Sequence, residues 1–187
     1  SEATVDSAFA TIEHKTDYGL KIRNHTYFAN YDKFYQNIYA ASQYTAARGV
    51  FLGAYNNTAD RENVFNQTNL IYSLNTGPFL HTLMAGVEVG RQETHNRRQS
   101  GTFRGSNQVF LNNSITNVPV IFATSNAIGN VDAYNRSVVN VTSLYIQDQI
   151  EFTPQLQVVA GVRYDLFEVD FQQKNGTKEH LKTSDDL

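Results

Sequence analysis

Leu144, Ile146 and Ile150 alternate with Tyr145, Gln147 and Gln149 in SLYIQDQIEFTPQLQVVAGVRYDLFEVDF, residues 143–171. After a break at Thr153-Pro154-Gln155 the alternation resumes. Val158, Ala160, Val162, Tyr164 and Leu166 share one side of the second arm, and Val159, Gly161, Arg163, Asp165 and Phe167 the other. A period of two predicts strands with one face in apolar surroundings. Each arm extends for roughly 12–16 residues, where ordinary strands hold about 5–6. The same grammar recurs at 6–34, around Asp17-Tyr18-Gly19, and at 62–94, around Asn75-Thr76-Gly77-Pro78. Such turn residues supply a positive or preset φ and end a strand sharply. On 80–92, Leu83, Ala85, Val87 and Val89 oppose Thr82, Met84, Gly86, Glu88, Gly90 and Gln92. On 19–31, Leu20, Ile22 and Phe28 oppose Lys21, Arg23, His25 and Tyr27.

Between these hairpins the pattern lapses. Residues 35–61, 96–138 and 172–187, rich in polar residues and poor in alternation, read as long loops. The Ala-rich stretch NIYAASQYTAARG, 37–49, is the best candidate for a short helix. Structureless loops beyond about 12–15 residues are uncommon in compact soluble domains. Short turns alternating with long loops, on strands that are apolar outside and polar inside, characterise outer-membrane barrels. The expected fold class is therefore all-β, an antiparallel transmembrane β-barrel with lipid on its apolar face and a lumen on its polar one. A soluble β-sandwich binding module also alternates and stays as an alternative, but it leaves the strand length and one-sided loops unexplained. About six strands fall short of the eight or so that close a barrel, and an open edge cannot sit in hydrocarbon. A contiguous piece of a larger barrel is expected.

Composition removes other classes. Fifteen Lys and Arg against 18 Asp and Glu give a net charge of −3, without the basic excess of a nucleic-acid binder. The absence of cysteine excludes disulfides and thiolate metal sites. Twelve Phe and 11 Tyr argue against disorder. No apolar run approaches the ~18 residues of a membrane helix. The first ten residues, SEATVDSAFA, have neither a basic n-region nor an apolar h-region, so no signal peptide is expected there. His14, His25, His81, His95 and His180 are scattered without metal-ligand spacing. No catalytic constellation stands out. Glu88, Asp148, Glu151 and Asp165 are expected to pair inside the barrel with Arg23, Arg91 and Arg163, because charges withdrawn from water need partners.

The hairpin at 143–171, with its Tyr-x-Gln-Asp-Gln run, Thr-Pro turn and Gly-x-Arg-Tyr-Asp close, closely resembles the mid-barrel hairpin of TonB-dependent ferric-siderophore receptors. LKIRNHTYFANYDKFY, 20–35, and FLHTLMAGVEVGRQET, 79–94, resemble further strands of that family in the same order. The resemblance covers nearly all strand segments and neither of the two long internal loops. It implies a 22-stranded barrel in the bacterial outer membrane, amid outer-membrane lipid and lipopolysaccharide, with an N-terminal plug that this sequence does not include. It implies capture of a ferric siderophore at the extracellular mouth and import energised by a TonB-type periplasmic coupling protein acting through the plug. No enzymatic chemistry and no resident cofactor are implied, since iron arrives only as the siderophore chelate. A passive porin without energy coupling remains the alternative, distinguished by whether a plug precedes residue 1.

Binding chemistry is expected in the loops. Segment 35–61 interleaves Tyr35, Tyr39, Tyr44 and Tyr55 with Arg48, and segment 95–110 brings Arg97, Arg98 and Arg104 near Phe103 and Phe110. A ferric catecholate is an anion with flat aromatic arms, which guanidinium groups and aromatic faces suit. That gives a lean to catecholate over hydroxamate. The competing reading is that these aromatics only pack the loops together. On the strands, Val87, Val158 and Val162 are expected to face lipid. Met84 and Gly161 are expected on the lumen side, where polar substitution should be mild.

Overall fold

The computed structural model describes residues 1–46, 49–103, 109–111, 119–122, 132–174 and 180–186. They form one antiparallel sheet. Its strands are β1 (Glu2–Lys15), β2 (Lys21–Ala40), β3 (Val50–Thr76), β4 (Phe79–Ser100), β5 (Val109–Leu111), β6 (Ala133–Thr153), β7 (Leu156–Gln173) and β8 (His180–Asp186). The order across the sheet is β1-β2-β3-β4-β6-β7-β8, with β5 paired only to the start of β3. Sequence neighbours are thus spatial neighbours, joined at one end by tight turns. Gly19 and Gly77 hold two of these turns at φ 92° and 62°, a region where a β-carbon is disfavoured.

Continuous registers, shifted only at Glu151–Thr153 beside the β6–β7 turn, carry the two faces from strand to strand. Ile22, Leu70, Ala85, Ile146 and Val162 stand in one row, and Asn24, Thr68, Val87, Leu144 and Tyr164 in another. These belong to the outer face, where Val162 is 67% exposed, Leu144 58% and Ile146 55%. Large aliphatic residues at that exposure call for an apolar medium. At the turn end, Phe79 and Phe152 meet edge-on at 5.0 Å, in keeping with an interfacial aromatic girdle. A polar island interrupts the outer face between β2 and β3. Asn24 and Asn66 exchange amide hydrogen bonds (3.1 and 3.2 Å), while Thr68 and Thr26 each accept from one of them (2.8 and 2.7 Å). Because all four amide N–H bonds lie within the group, it satisfies itself between Ile22 and Leu70 on one side and Phe28 and Val64 on the other.

Strand ends differ from the sequence reading. Residues 35–40 belong to β2, 50–61 to β3, 96–100 to β4, 133–138 to β6, 172–173 to β7 and 180–186 to β8. The loops expected at 35–61, 96–138 and 172–187 are therefore much shorter. The helix expected within 37–49 is absent among its described residues, because Asn37–Ala40 pair with Leu52–Tyr55. With 20, 27, 22 and 21 residues, β2, β3, β4 and β6 have about twice the 9–11 needed to span a bilayer. Their upper halves project beyond the apolar band, on the side away from the tight turns.

The expected ion pairs form in part. Arg163 bonds Glu88 (3.0 Å) and Asp165 (2.8 Å) on the inner, polar face. Arg23 and Lys21 instead share Glu13, at 2.5 and 2.8 Å. Arg91 and Asp148 are outer-face residues, contrary to expectation: Arg91 lies 3.1 Å from Glu93, and Asp148 lies 2.8 Å from His81. Glu151 takes no Arg partner but accepts from Gln157 at 3.4 Å. Parity along each strand decides this, since odd positions of β4 and even positions of β6 face outward.

Candidate mouth site on the upper inner wall

Inner-face positions are odd on β1, β2, β3, β6 and β7 and even on β4. Their lower part is a closed polar network. Tyr145 reaches across β4 to donate to Asn69 and to accept from Gln67 (2.7 Å). It can do so because Gly86 has no β-carbon, which would otherwise collide with the phenol ring. Arg163 sits 5.5 Å from the Tyr145 ring centre while bonding Glu88, Asp165 and the buried Ser143. Every lower-wall cation named here is held by a carboxylate.

Above the row Gln67–Glu88–Ser143–Asp165, the chemistry changes. No inner position on β1, β2, β3, β4, β6 or β7 above that row is Asp or Glu. On the same strand segments Asp6, Asp32, Asp60, Glu62, Glu93 and Asp170 fall at outer positions. Alternation has sorted the charge: Asp32 faces out and Lys33 in, Asp60 out and Arg61 in. Aromatic rings accompany the inner cations. Tyr55 meets Tyr35 and Tyr39 edge-on at 5.7 and 5.8 Å, Arg98 stands 4.2 Å from the Tyr55 ring centre, and Lys33 stands 5.7 Å from that of Tyr35. Tyr39 lies over Gly53, where an added β-carbon would come within 2.8 Å of its ring. A hollow of about 510 Å³ opens beside Lys33 and Tyr35 at the β1 edge.

Eight of the ten sequence-selected residues lie among the described residues and divide between the wall and elsewhere. Tyr35, Tyr39, Tyr55 and Arg98 converge on this wall. Arg97 does not, because it adjoins Arg98 along β4 and takes the opposite face, across from Thr58 and Tyr134. Phe103 is only 2% exposed, beside the Thr102–Ile121 bridge, so it packs the loop and presents no ring to a ligand. Phe110 meets Phe51 edge-on at 4.9 Å where β5 joins β3. Tyr44 is exposed on the β2–β3 connection, away from the cluster's ring contacts. Arg48 and Arg104 lie outside the described residues. Lys33 and Arg61 were missed, although the alternation Tyr31-x-Lys33-x-Tyr35 marks the first of them. Among the described residues no group of His, Asp and Glu could hold a metal ion.

Residues 3–186 match the sequence profile of the family described as TonB dependent receptor-like, beta-barrel. The chain belongs to that family. Its members are non-enzymatic transporters of the bacterial outer membrane, so the outer face meets lipid and the inner face lines a lumen. The soluble sandwich does not survive this assignment. The fold resembles the closed form of the ferric-catecholate import receptor Fiu from E. coli K12 (TM-score 0.70, 19% identity, 99% of this chain and 29% of that one). It also resembles the siderophore receptor PiuA from Acinetobacter baumannii (0.70, 18%, 99% and 29%) and the unliganded ferric citrate transporter FecA (0.66, 14%, 98% and 24%). The chain thus spans about a quarter to a third of the length of these receptors.

Proposed function

We propose that this barrel segment belongs to a receptor that captures a ferric siderophore at its extracellular mouth and imports it with energy from a TonB-type coupling protein. In this reading the ligand is an anionic chelate with aromatic arms, of the catecholate class, and the outer face rests against outer-membrane lipid and lipopolysaccharide. The supporting observation is that the inner strand positions of the upper wall on β1–β4, β6 and β7 carry no Asp or Glu, with Arg98 and Lys33 standing on tyrosine rings. The nearby acids, Asp132 on Ser100 and Glu2 at the rim of the hollow, come from outside those positions. A cation near a π face has room for an anion on its other side, and a flat ligand can stack on the same rings. Proteins similar in fold carry ferric-catecholate and siderophore names, which agrees with that chemistry.

The test is binding of a ferric tris-catecholate to the full-length receptor with Lys33→Gln and Arg98→Gln together. The dissociation constant should rise about tenfold, corresponding to ~1.4 kcal/mol, while assembly in the membrane stays normal. The loss should diminish at high salt, where exposed charges are screened. Equal binding by wild type and variant in a normally assembled receptor would remove the ligand from this wall.

A further inference from the structure

Three glycines of the inner wall carry an aromatic ring where a side chain would stand. Each ring belongs to the residue directly opposite in the register: Tyr39 on Gly53, Phe65 on Gly90 and Tyr145 on Gly86. A glycine inside a strand weakens it and marks a place where another group approaches closely. Gly86 lies within the lower polar network, and Gly90 is one inner step above Glu88 on β4. Of the three, Gly53 is the one beside the mouth cluster.

At Gly53 the approach is made by the far end of the ring. An added β-carbon would lie 2.8 Å from both Cζ and Oη of Tyr39 and 3.1 Å from Cε1. The ring therefore crosses from β2 to β3 and rests on the glycine. Tyr39 is 43% exposed, so the face turned away from the glycine is open to the lumen. Tyr55 is the next inner residue along β3, opposite Asn37, and Tyr35 and Tyr39 are the inner residues on either side of Asn37. Their two rings bracket that of Tyr55, at 5.7 and 5.8 Å with interplanar angles of 86° and 63°. Arg98 stands 4.2 Å from the centre of the ring so held. The place of the guanidinium thus runs back through Tyr55 and Tyr39 to the missing β-carbon of Gly53. The other bracket has an ordinary floor, since Asn57 lies opposite Tyr35 and donates its amide to Asn96 at 3.1 Å.

We propose that Gly53 is a positioning residue for ligand capture, holding the Tyr39 ring against the wall so that Tyr55 and Arg98 keep the arrangement that takes an aromatic anion. This rests on the mouth reading above and names a residue that touches no ligand itself. A methyl group at position 53 meets the tip of a ring that can swing, so the strand stays in place and the ring lifts. Lifted, Tyr39 enters the space in which a flat ligand stacks, and it leaves one side of Tyr55 unsupported. The anion then loses an aromatic face and finds the guanidinium displaced. Gly86 acts differently, because the ring upon it belongs to the closed hydrogen-bond network of Tyr145, Asn69 and Gln67.

The test is a cycle of Gly53→Ala, Tyr39→Ala and the double variant in the full-length receptor, read as affinity for ferric tris-catecholate with thermal stability alongside. Gly53→Ala should raise the dissociation constant about fivefold, the size of one lost aromatic pair, with thermal stability unchanged. In the Tyr39→Ala background the same change should alter affinity by less than about twofold, because the ring through which the glycine acts is gone. Gly86→Ala should show the opposite split, with lower thermal stability and unchanged affinity. Wild-type affinity in an assembled Gly53→Ala receptor, or a loss repeated in full in the Tyr39→Ala background, overturns the positioning role. So does a Gly53→Ala receptor that assembles only when Tyr39 is also replaced, since the pair would then be a folding contact. Failure of the mouth reading is seen separately, as unchanged affinity in the Lys33→Gln and Arg98→Gln receptor, and it takes this role with it.

Discussion

The upper and lower parts of the inner wall are built by the same strands and the same alternation, yet they use cations in opposite ways. Low on the wall, Arg163 is divided between Glu88 and Asp165, and Glu13 between Lys21 and Arg23. High on the wall, Arg98 and Lys33 lean on tyrosines and Arg61 on a threonine. A guanidinium already bonded to carboxylates has little left for an incoming anion; one resting on a ring keeps most of its field. What distinguishes the two parts of the wall is where the acids point.

Both walls exist only if the opposite face meets hydrocarbon. Val162→Arg should therefore produce the largest effect, about 2–4 kcal/mol near the bilayer midplane, measured by reversible unfolding of the full receptor into lipid. Met84→Gln, on the inner face, should cost far less. Gly161, expected from the sequence to be an equally mild position, is not one: a β-carbon there would lie 2.8 Å from the Ile146 carbonyl oxygen, so its substitution tests packing and not face.

Arg163→Ala should come next. It removes bonds to two carboxylates and Ser143, and bonds to charged groups contribute roughly 1.5–3 kcal/mol when well formed. Arg163 is partly exposed, so a loss of about 1–2 kcal/mol is expected once solvent screening is allowed for. Ligand capture should be unchanged, in contrast to the Lys33 and Arg98 pair, whose loss should appear in affinity and not in stability. If Arg163→Ala weakened capture as much as that pair, the division of the wall would collapse. Arg97→Gln should give the smallest effect, less than about twofold in affinity (under ~0.4 kcal/mol), because its side chain leaves the wall altogether.

Much of this was legible from residue order alone, and the failures have a common cause. Within the apolar band, Leu144, Ile146 and Ile150 against Tyr145, Gln147 and Gln149 announce the strand because lipid and lumen demand different side chains. Above the band both faces are wet, so Asn56-Asn57-Thr58 looks like a loop although it is paired on both sides in β3. Hydrophobic periodicity ends where the lipid ends, while hydrogen bonding continues. The same loss of contrast concealed the site. Tyr35, Tyr39, Tyr55 and Arg98 were selectable by type, but Arg97 was grouped with Arg98 by adjacency, which in a strand means opposite faces. Lys33 and Arg61 stand next to Asp32 and Asp60 in sequence, but alternation sends those acids to the other face. Phe103 carried no local sign of burial, although it is 2% exposed beside the Thr102–Ile121 bridge.

The most direct measurement makes the upper wall resemble the lower one. Asn57 is the register partner of Arg98 on β3, so Asn57→Asp in the full-length receptor places a carboxylate beside that guanidinium without changing side-chain size. Affinity for ferric tris-catecholate should fall by about tenfold or more, the equivalent of ~1.4 kcal/mol, and thermal stability should hold or rise slightly from the new pair. Undiminished affinity in a normally assembled receptor would contradict the assignment of the upper inner wall as the anion-capturing surface.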